Sequence, residues 1–274
     1  MKLCRFQIDD QARQGVVEDG SVVDRDAPGE RYAIETVRLL APVTPRKYLA
    51  IGLNYKDHIA ESGLQAPEVP LFFNKQVTCI VGPNADIHMP RVSHLLDYEA
   101  ELAIVVDKRC RHVPVEKAHE VIAGYTIAND VSVRDWQLRT PTMTIGKSFD
   151  THGPLGPWIV TADELGDPHD LGIRTFVNDE LRQDSNTGEM IFNCFEQVAH
   201  LSEAFTLEPG DVIATGTPAG VGAVRQPFPE GLLKVGDVVK IEIDRIGQLQ
   251  NTVVEEPDDY LAPEVEQMPP GTPA

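Results

Sequence analysis

Asp97-Tyr98-Glu99-Ala100-Glu101-Leu102-Ala103-Ile104-Val105-Val106 sets two carboxylates one residue apart at the head of an apolar run. In an extended strand successive side chains alternate between faces. Glu99 and Glu101 therefore share one face, while Leu102, Ile104 and Val106 take the other and can meet a core. Two carboxylates about 4 Å apart repel by roughly 4 kcal/mol at an effective dielectric of about 20, so a converging pair needs a proton or a cation between them. A hard metal ion answers that need. A half-exposed strand with solvated glutamates is the alternative that this stretch alone leaves open.

A third acid stands at the end of another apolar stretch, Tyr125-Thr126-Ile127-Ala128-Asn129-Asp130. Carboxylates at strand ends beside a carboxylate pair are what an oxygen-rich Mg²⁺ or Mn²⁺ site requires, with water or substrate in the remaining positions. Asn-Asp is also an ordinary turn signal. In Asn54-Tyr55-Lys56-Asp57-His58-Ile59-Ala60-Glu61, His58 and Glu61 are three apart and share a helix face. A carboxylate beside an imidazole fixes its tautomer and raises its basicity, the arrangement that takes a proton from water near neutral pH; a solvated helix face reads the same way. Thr215-Gly216-Thr217-Pro218-Ala219-Gly220-Val221-Gly222 follows a strand and offers backbone N–H groups, a nest for a carboxylate or carbonyl oxygen. It has neither the Lys-Ser/Thr ending of a phosphate loop nor the G-x-G-x-x-G spacing of a dinucleotide fold. Lys75, Arg134, Arg139 and Lys147 are candidate anion contacts, and each can equally be a surface charge.

The 274 residues carry a formal charge of −19, with a pI near 4.7. That argues against a basic groove for nucleic acid, so an anionic substrate has to be captured locally. Cys4, Cys79, Cys110 and Cys194 form no C-x-x-C pair, which suggests neither a zinc knuckle nor a disulfide framework and fits a reducing cytosol. No run of about eighteen apolar residues is present, and the N-terminus has no apolar export region, so neither a membrane nor an export route is expected.

Residues 1 to about 24 read as a small β meander, with turns at Asp9-Asp10 and Asp19-Gly20. A boundary is expected near residue 45, giving a small N-terminal β domain over 1–45, a catalytic domain over 46–256 and an acidic, Pro-rich tail over 257–274. From Glu255 on there are six acids and no lysine or arginine. Helices are expected around Tyr55 to Ser62, closed by Gly63, over Val115 to Val121, and over Asn193 to Leu207, where Phe195, Val198, Leu201 and Phe205 share a face. Strands are expected at Tyr48 to Gly52, Leu71 to Phe73, Val212 to Thr215, Val238 to Ile243 and Gln250 to Val254. The class is α+β and β-rich, without the strand–helix alternation of a doubly wound sheet.

Taken in order, Gly52-Leu53-Asn54-Tyr55 with His58 and Glu61, Phe73-Asn74-Lys75, Asp97 to Leu102, Asn129 to Asp135, Gly146-Lys147-Ser148-Phe149-Asp150, Val177 to Gln183 and Thr215 to Gly222 resemble the fumarylacetoacetate hydrolase family over about residues 45 to 254. The resemblance implies a mixed β-roll behind a small N-terminal domain, as a homodimer. It puts Mg²⁺ or Mn²⁺ on Glu99, Glu101 and Asp130, and a water-activating dyad on His58 and Glu61. Lys147 falls where the family pairs a lysine with substrate and ligand shell, and Lys75, Arg134, Gln137, Gly216 and Thr217 fall on substrate-binding positions. Many relatives have Asn-Gly where this chain has Asn178-Asp179, a difference that touches only a hairpin turn. The activity so implied is hydrolysis of a carbon–carbon bond in an acylpyruvate-like 2,4-dioxo acid, of the fumarylacetoacetate or fumarylpyruvate type, through a metal-bound enolate. Oxaloacetate decarboxylation and isomerisation of a 2-hydroxyhepta-2,4-diene-1,7-dioate are the alternatives on the same site. A relative that binds a metabolite without turning it over is the alternative from another class.

Overall fold

Strand Ala100–Val106 lies deep in the sheet it belongs to and is buried along its whole length. In the computed structural model, which describes residues 1–258, it pairs antiparallel with Ile122–Asn129 on one side and with Val212–Ala214 on the other. Its alternation is used twice. Leu102, Ile104 and Val106 enter one apolar cluster, Ala103 and Val105 another. The expectation of one core face was therefore too modest, since a strand covered on both faces reads as a near-continuous apolar run. The solvated-glutamate alternative fails for the same reason: Glu99 is 6 % exposed and Glu101 1 %.

Among the described residues the main sheet has twelve strands. From one edge it runs Arg31–Ala33, Ser21–Asp24, Gln11–Glu18, Lys2–Ile8, Gly153–Thr161, Ile122–Asn129, Ala100–Val106, Val212–Ala214, Tyr48–Gly52 and Leu71–Lys75, with two short strands joining off this path. It is mixed, because Val212–Ala214 runs parallel to Tyr48–Gly52. A five-stranded sheet, Glu180–Asn186, Gly172–Val177, Val238–Ile243, Gly247–Glu255 and Asp86–Met89, contributes Ile173, Ile241 and Leu249 to the cluster that holds Leu102 and Ile104. Each such aliphatic side chain stabilises by about 1.5–3 kcal/mol when fully buried. The mixed, strand-rich architecture agrees with the α+β expectation.

The N-terminal meander continues the main sheet, through Lys2 opposite Val160 and Leu3 opposite Ile159. Its own small core is Cys4, Phe6 and Val22. The edge strand Arg31–Ala33 was not expected; three residues with no buried member leave no periodic signal. Val115–Val121 is 3-10 and not α-helical. Helix Cys194–Ala204 opens on Asn193 with a capping box, its side chain accepting from the Phe195 and Glu196 amides while Glu196 accepts from the Asn193 amide, and it stops short of Leu207 because Phe205 is extended. Asn178 and Asp179 both have positive φ, so Asp179 carries at modest strain what a glycine would carry freely. Residues 259–274 of the expected acidic tail lie outside the described residues.

Candidate metal and proton-transfer site

The carboxylates are brought together by sheet register. Ala100 stands opposite Asn129 and Glu101 opposite Ala128. One step further places Asp130 opposite Glu99, where cross-strand neighbours sit about 5 Å apart at Cβ. The Asp130 amide donates to the Glu99 carbonyl at 2.9 Å, and the Glu99 amide donates to Asn129 Oδ1 at 3.0 Å. Asn129-Asp130 is therefore a strand end clamped to its neighbour, not a free turn. With Glu101 two residues along on the same face, ligand oxygens of Glu99, Glu101 and Asp130 lie within 4.8 Å of one another.

Three cations are packed against them. Lys147 Nζ donates to Glu99 Oε2 at 2.7 Å and Asp130 Oδ2 at 2.8 Å. Arg134 spans Asp97 and Glu99, with Nε 2.8 Å from Asp97 Oδ2 and Nη1 2.6 Å from Glu99 Oε1, and it also reaches Gln137 Oε1 at 2.8 Å. Lys75 Nζ lies 2.6 Å from Asp130 Oδ1 and also donates to the Lys147 and His152 carbonyls. Four buried carboxylates, counting Asp97, thus face three cations. Burial alone would raise the Glu99 carboxyl, but Lys147 and then Arg134 outweigh it and hold it at about 2. Glu101 makes no ion pair among the described residues. Burial, then Asp130 and Glu99, push its carboxyl well above the usual range. Glu101 is therefore the acid that can ionise only when more positive charge arrives.

This donor set fits Mg²⁺ or Mn²⁺: all oxygen, buried, and short of positive charge when all four carboxyls are ionised. An octahedral Mg²⁺ at about 2.1 Å from each oxygen spans about 4.2 Å between opposite ligands. The triad is close to that size.

The loop Thr215 to Gly222 is a carboxylate nest, as its glycines suggest. Its amides are taken by the protein's own acids: Gly216 N donates to Glu101 Oε2 at 2.9 Å, Gly220 N to both Glu61 oxygens at 3.0 and 2.9 Å, and Gly222 N to Asp97 Oδ1 at 2.7 Å. The carboxylates it holds are those of the site's frame, and Gly216 positions Glu101 through its amide. Its φ is +101° and a Cβ would stand 2.8 Å from Asn54 Cβ, so a side chain is excluded there.

Helix Lys56–Ser62 ends on Gly63 in the left-handed region, as expected. It sets His58 Nδ1 2.8 Å from Glu61 Oε1. Glu61, held by the Gly220 amide, fixes the ring so that Nε2 is the nitrogen left for chemistry. His58 shares the lining of a cavity of about 600 Å³ with Glu99, Glu101, Arg134, Gln137, Lys147 and Thr217. Seven of the expected site residues therefore meet on one wall. Lys75 is not on that lining: it is buried beside Asp130, with three acceptors around its ammonium, an arrangement that supports Asp130. Thr217 Oγ1 accepts from Gln183 Nε2 at 2.9 Å, which leaves its own O–H to be donated.

Four supporting residues were not singled out by sequence. Asp97 holds Arg134 and the Gly222 amide together. Asn54 donates to the Thr215 carbonyl at 2.7 Å and to the Phe192 carbonyl at 3.0 Å. Asn129 clamps Glu99, and Gln183 joins the Ala100 amide to Thr217. Asp97, Asn54 and Asn129 sit inside the motifs already quoted, but a short polar residue there reads as a turn unless its partners are known.

The family model described as the fumarylacetoacetate (FAA) hydrolase C-terminal domain matches residues 47–254, and one described as Rv2993c-like, N-terminal, matches residues 1–42. Oxaloacetate tautomerase fahd2, mitochondrial, of Xenopus laevis is 48 % identical over 221 residues, covering 80 % of this chain and 69 % of that protein. The crystal structure of 5-carboxymethyl-2-hydroxymuconate delta-isomerase from Mycobacterium smegmatis is 40 % identical with a TM-score of 0.84, over 94 % of this chain and all of that one. Maleylpyruvate hydrolase from Sphingobium sp. SYK-6, solved with manganese(II) and pyruvate, is 31 % identical with a TM-score of 0.78, over 94 % of this chain and all of that one.

Proposed function

The chain belongs to the fumarylacetoacetate hydrolase family, whose C-terminal model covers residues 47–254, and from that premise we propose that it hydrolyses the carbon–carbon bond between the carbonyls of an acylpyruvate, a 2,4-dioxo acid, releasing pyruvate and a carboxylic acid. The observation that carries this reading is the His58–Glu61 pair, 2.8 Å apart, with His58 lining the same cavity as Glu99 and Glu101 of the carboxylate triad. A divalent ion on Glu99, Glu101 and Asp130 would supply Lewis acidity for the substrate's 2-oxo and carboxylate oxygens.

The residues do the rest. His58 Nε2 takes a proton from water, which attacks the distal carbonyl, and Glu61 keeps the imidazole in the tautomer that can accept it and steadies the imidazolium formed. The bonding pair of the cleaved bond passes into the pyruvate enolate, and the same imidazolium returns the proton at carbon to give pyruvate. Lys147 holds Glu99 and Asp130 in place, and its charge faces the side on which enolate charge grows. Thr217 and Gln137 offer neutral donors that orient the substrate. Arg134, held by Asp97, Glu99 and Gln137, sets the frame.

A second reading is supported by the relative named as an oxaloacetate tautomerase. The same pair could move a proton between carbon and oxygen of a 2-oxo acid without water attack. Parallel assays of acetylpyruvate cleavage and of oxaloacetate tautomerisation separate the two; tautomerisation with no cleavage of any acylpyruvate would sink the hydrolytic reading.

The metal assignment has its own test. Chelated protein should be inactive and recover with Mg²⁺ or Mn²⁺, and recovery with Zn²⁺ alone would count against an all-oxygen donor set. The raised carboxyl of Glu101 adds a sign. The folded, metal-free chain binds that proton more tightly than the unfolded chain. Its contribution is thus complete below the ordinary value of 4.5 and is lost as pH rises toward the higher folded-state value. Mg²⁺ should therefore raise Tm more at about pH 8 than at about pH 5. An equal or reversed shift would remove Glu101 from the ligand set.

We also place the protein in the cytosol as a homodimer. The first rests on its four free thiols, although the Xenopus relative is named as mitochondrial; the second rests on the family resemblance. Fractionation of the source cells checks the first, and light scattering checks the second: a particle of 30.2 kDa at micromolar concentration would refute the dimer.

A further inference from the structure

The cavity is far larger than its polar wall needs. Glu99, Glu101, Lys147 and Thr217 form the buried inner end, and outward from them the lining turns apolar. The change can be followed along strand Leu71–Lys75. Phe73, 5 % exposed, has its ring centroid 5.3 Å from Lys147 Nζ, and Leu71, two residues on and on the same face, is 37 % exposed. That step carries the wall roughly 7 Å outward, enough for an alkyl tail of about five carbons. Around it stand Leu53, Leu64, Leu138, Met143 and Phe228. Leu64, Leu138 and Phe228 are 54 %, 83 % and 49 % exposed, large apolar side chains that water covers until something else does.

Charge follows the same gradient. The basic side chains among the described lining residues are His58, Arg134 and Lys147; Arg134 and Lys147 are tied to the inner carboxylates and His58 to Glu61. The charged group on the outer lining is an acid, Asp135, which accepts from Ser93 Oγ at 2.6 Å. Nearby Arg139 lies 3.6 Å from Asp135 and stacks on Trp136 at 3.7 Å, and it is not part of the lining. A substrate ending in a second carboxylate would thus set that charge among leucines and beside Asp135, with no free cation on the described lining to receive it, since Arg139 lies off the lining and is already held by Asp135 and Trp136.

We infer that the outer cavity is a specificity subsite for an apolar acyl tail, so that the substrates are acylpyruvates with an alkyl or aryl end, and that a terminal carboxylate is selected against. The inference rests on reading the inner site as one for 2-oxo acids, and it adds the identity of the far end. Leu71 and Leu138 are the specificity-determining residues: both line the cavity wall, and neither touches the reacting atoms.

The test compares kcat/KM of the Mg²⁺-loaded enzyme for acetylpyruvate, hexanoylpyruvate, benzoylpyruvate and succinylpyruvate, with loss of the enol absorbance as the readout. Hexanoylpyruvate should exceed acetylpyruvate by about tenfold or more, less than the roughly fourfold per methylene of full burial because the tail stays partly wet. Succinylpyruvate should lie about tenfold or more below hexanoylpyruvate. Leu138→Arg, at a site too exposed to threaten folding, and Leu71→Arg should each move the succinyl-to-hexanoyl ratio upward by about tenfold. A flat chain-length series, or a succinyl-to-hexanoyl ratio unmoved in both variants, overturns the subsite while leaving the inner site's reading intact. If none of the four compounds is turned over or shifts Tm, the 2-oxo acid reading itself fails and the subsite falls with it.

Discussion

In the His58→Ala protein, acylpyruvate cleavage is expected to slow by roughly 10² to 10⁴ in kcat, the usual contribution of a positioned general base. Mg²⁺ binding should be nearly unchanged, because no carboxylate of the triad bonds to His58. Glu61→Gln should slow the reaction less, since the imidazole stays and loses only its charged partner; the Gly220 amide that held Glu61 can still be accepted by the amide oxygen. Oxaloacetate decarboxylation is the internal control. It needs no attacking water, because the 2-oxo group takes the electrons released with CO₂. Any such side reaction should survive in His58→Ala far better than cleavage does. Should both reactions fall together with KM rising, the helix carrying His58 closes the cavity and binds substrate without activating water.

Asp130→Asn is expected to remove activity and to lower stability by about 3–5 kcal/mol, as breaking a buried ion pair from one side does. The size follows from two ammonium groups that depend on one carboxylate. Lys75 is 2.6 Å and Lys147 2.8 Å from its oxygens, and both are almost completely buried. Lys147 keeps Glu99, so Lys75 is the charge left with carbonyls alone. The double variant Asp130→Asn/Lys75→Met should recover part of the lost stability and none of the activity, a coupling that urea titration of the four proteins measures. Asp130→Asn within about 1 kcal/mol of the parent, with its Mg²⁺ response retained, would show that the ligand and ion-pair assignments are both mistaken.

The two acids of the opening stretch were legible because a strand alternates: Glu99 and Glu101 can share a face whatever the strand packs against. The spacing of His58 and Glu61 on a helix closed by Gly63, the apolar face of the helix after Asn193, and the apolar strands Tyr48–Gly52 and Val238–Ile243 were legible for the same kind of reason. Each depends on residues within a few positions of one another. Order of motifs along the chain then added the family. What remained closed was every property set by residues far apart in sequence. That Asp130 faces Glu99 is a matter of register between two strands. That Lys75 holds Asp130 depends on a pairing 55 residues long. The loop Thr215 to Gly222 has the sequence of an open nest, and only the approach of Glu61, Asp97 and Glu101 from three other segments turns its amides inward. The apolar outer wall is assembled likewise, from Leu64, Leu71, Leu138 and Phe228. Local pattern thus determined which chemistry the chain carries, because alternation and helical spacing act over a few residues. Long-range pairing decided which groups remain free to meet a substrate, because a donor or acceptor is available only after every distant partner has taken its share.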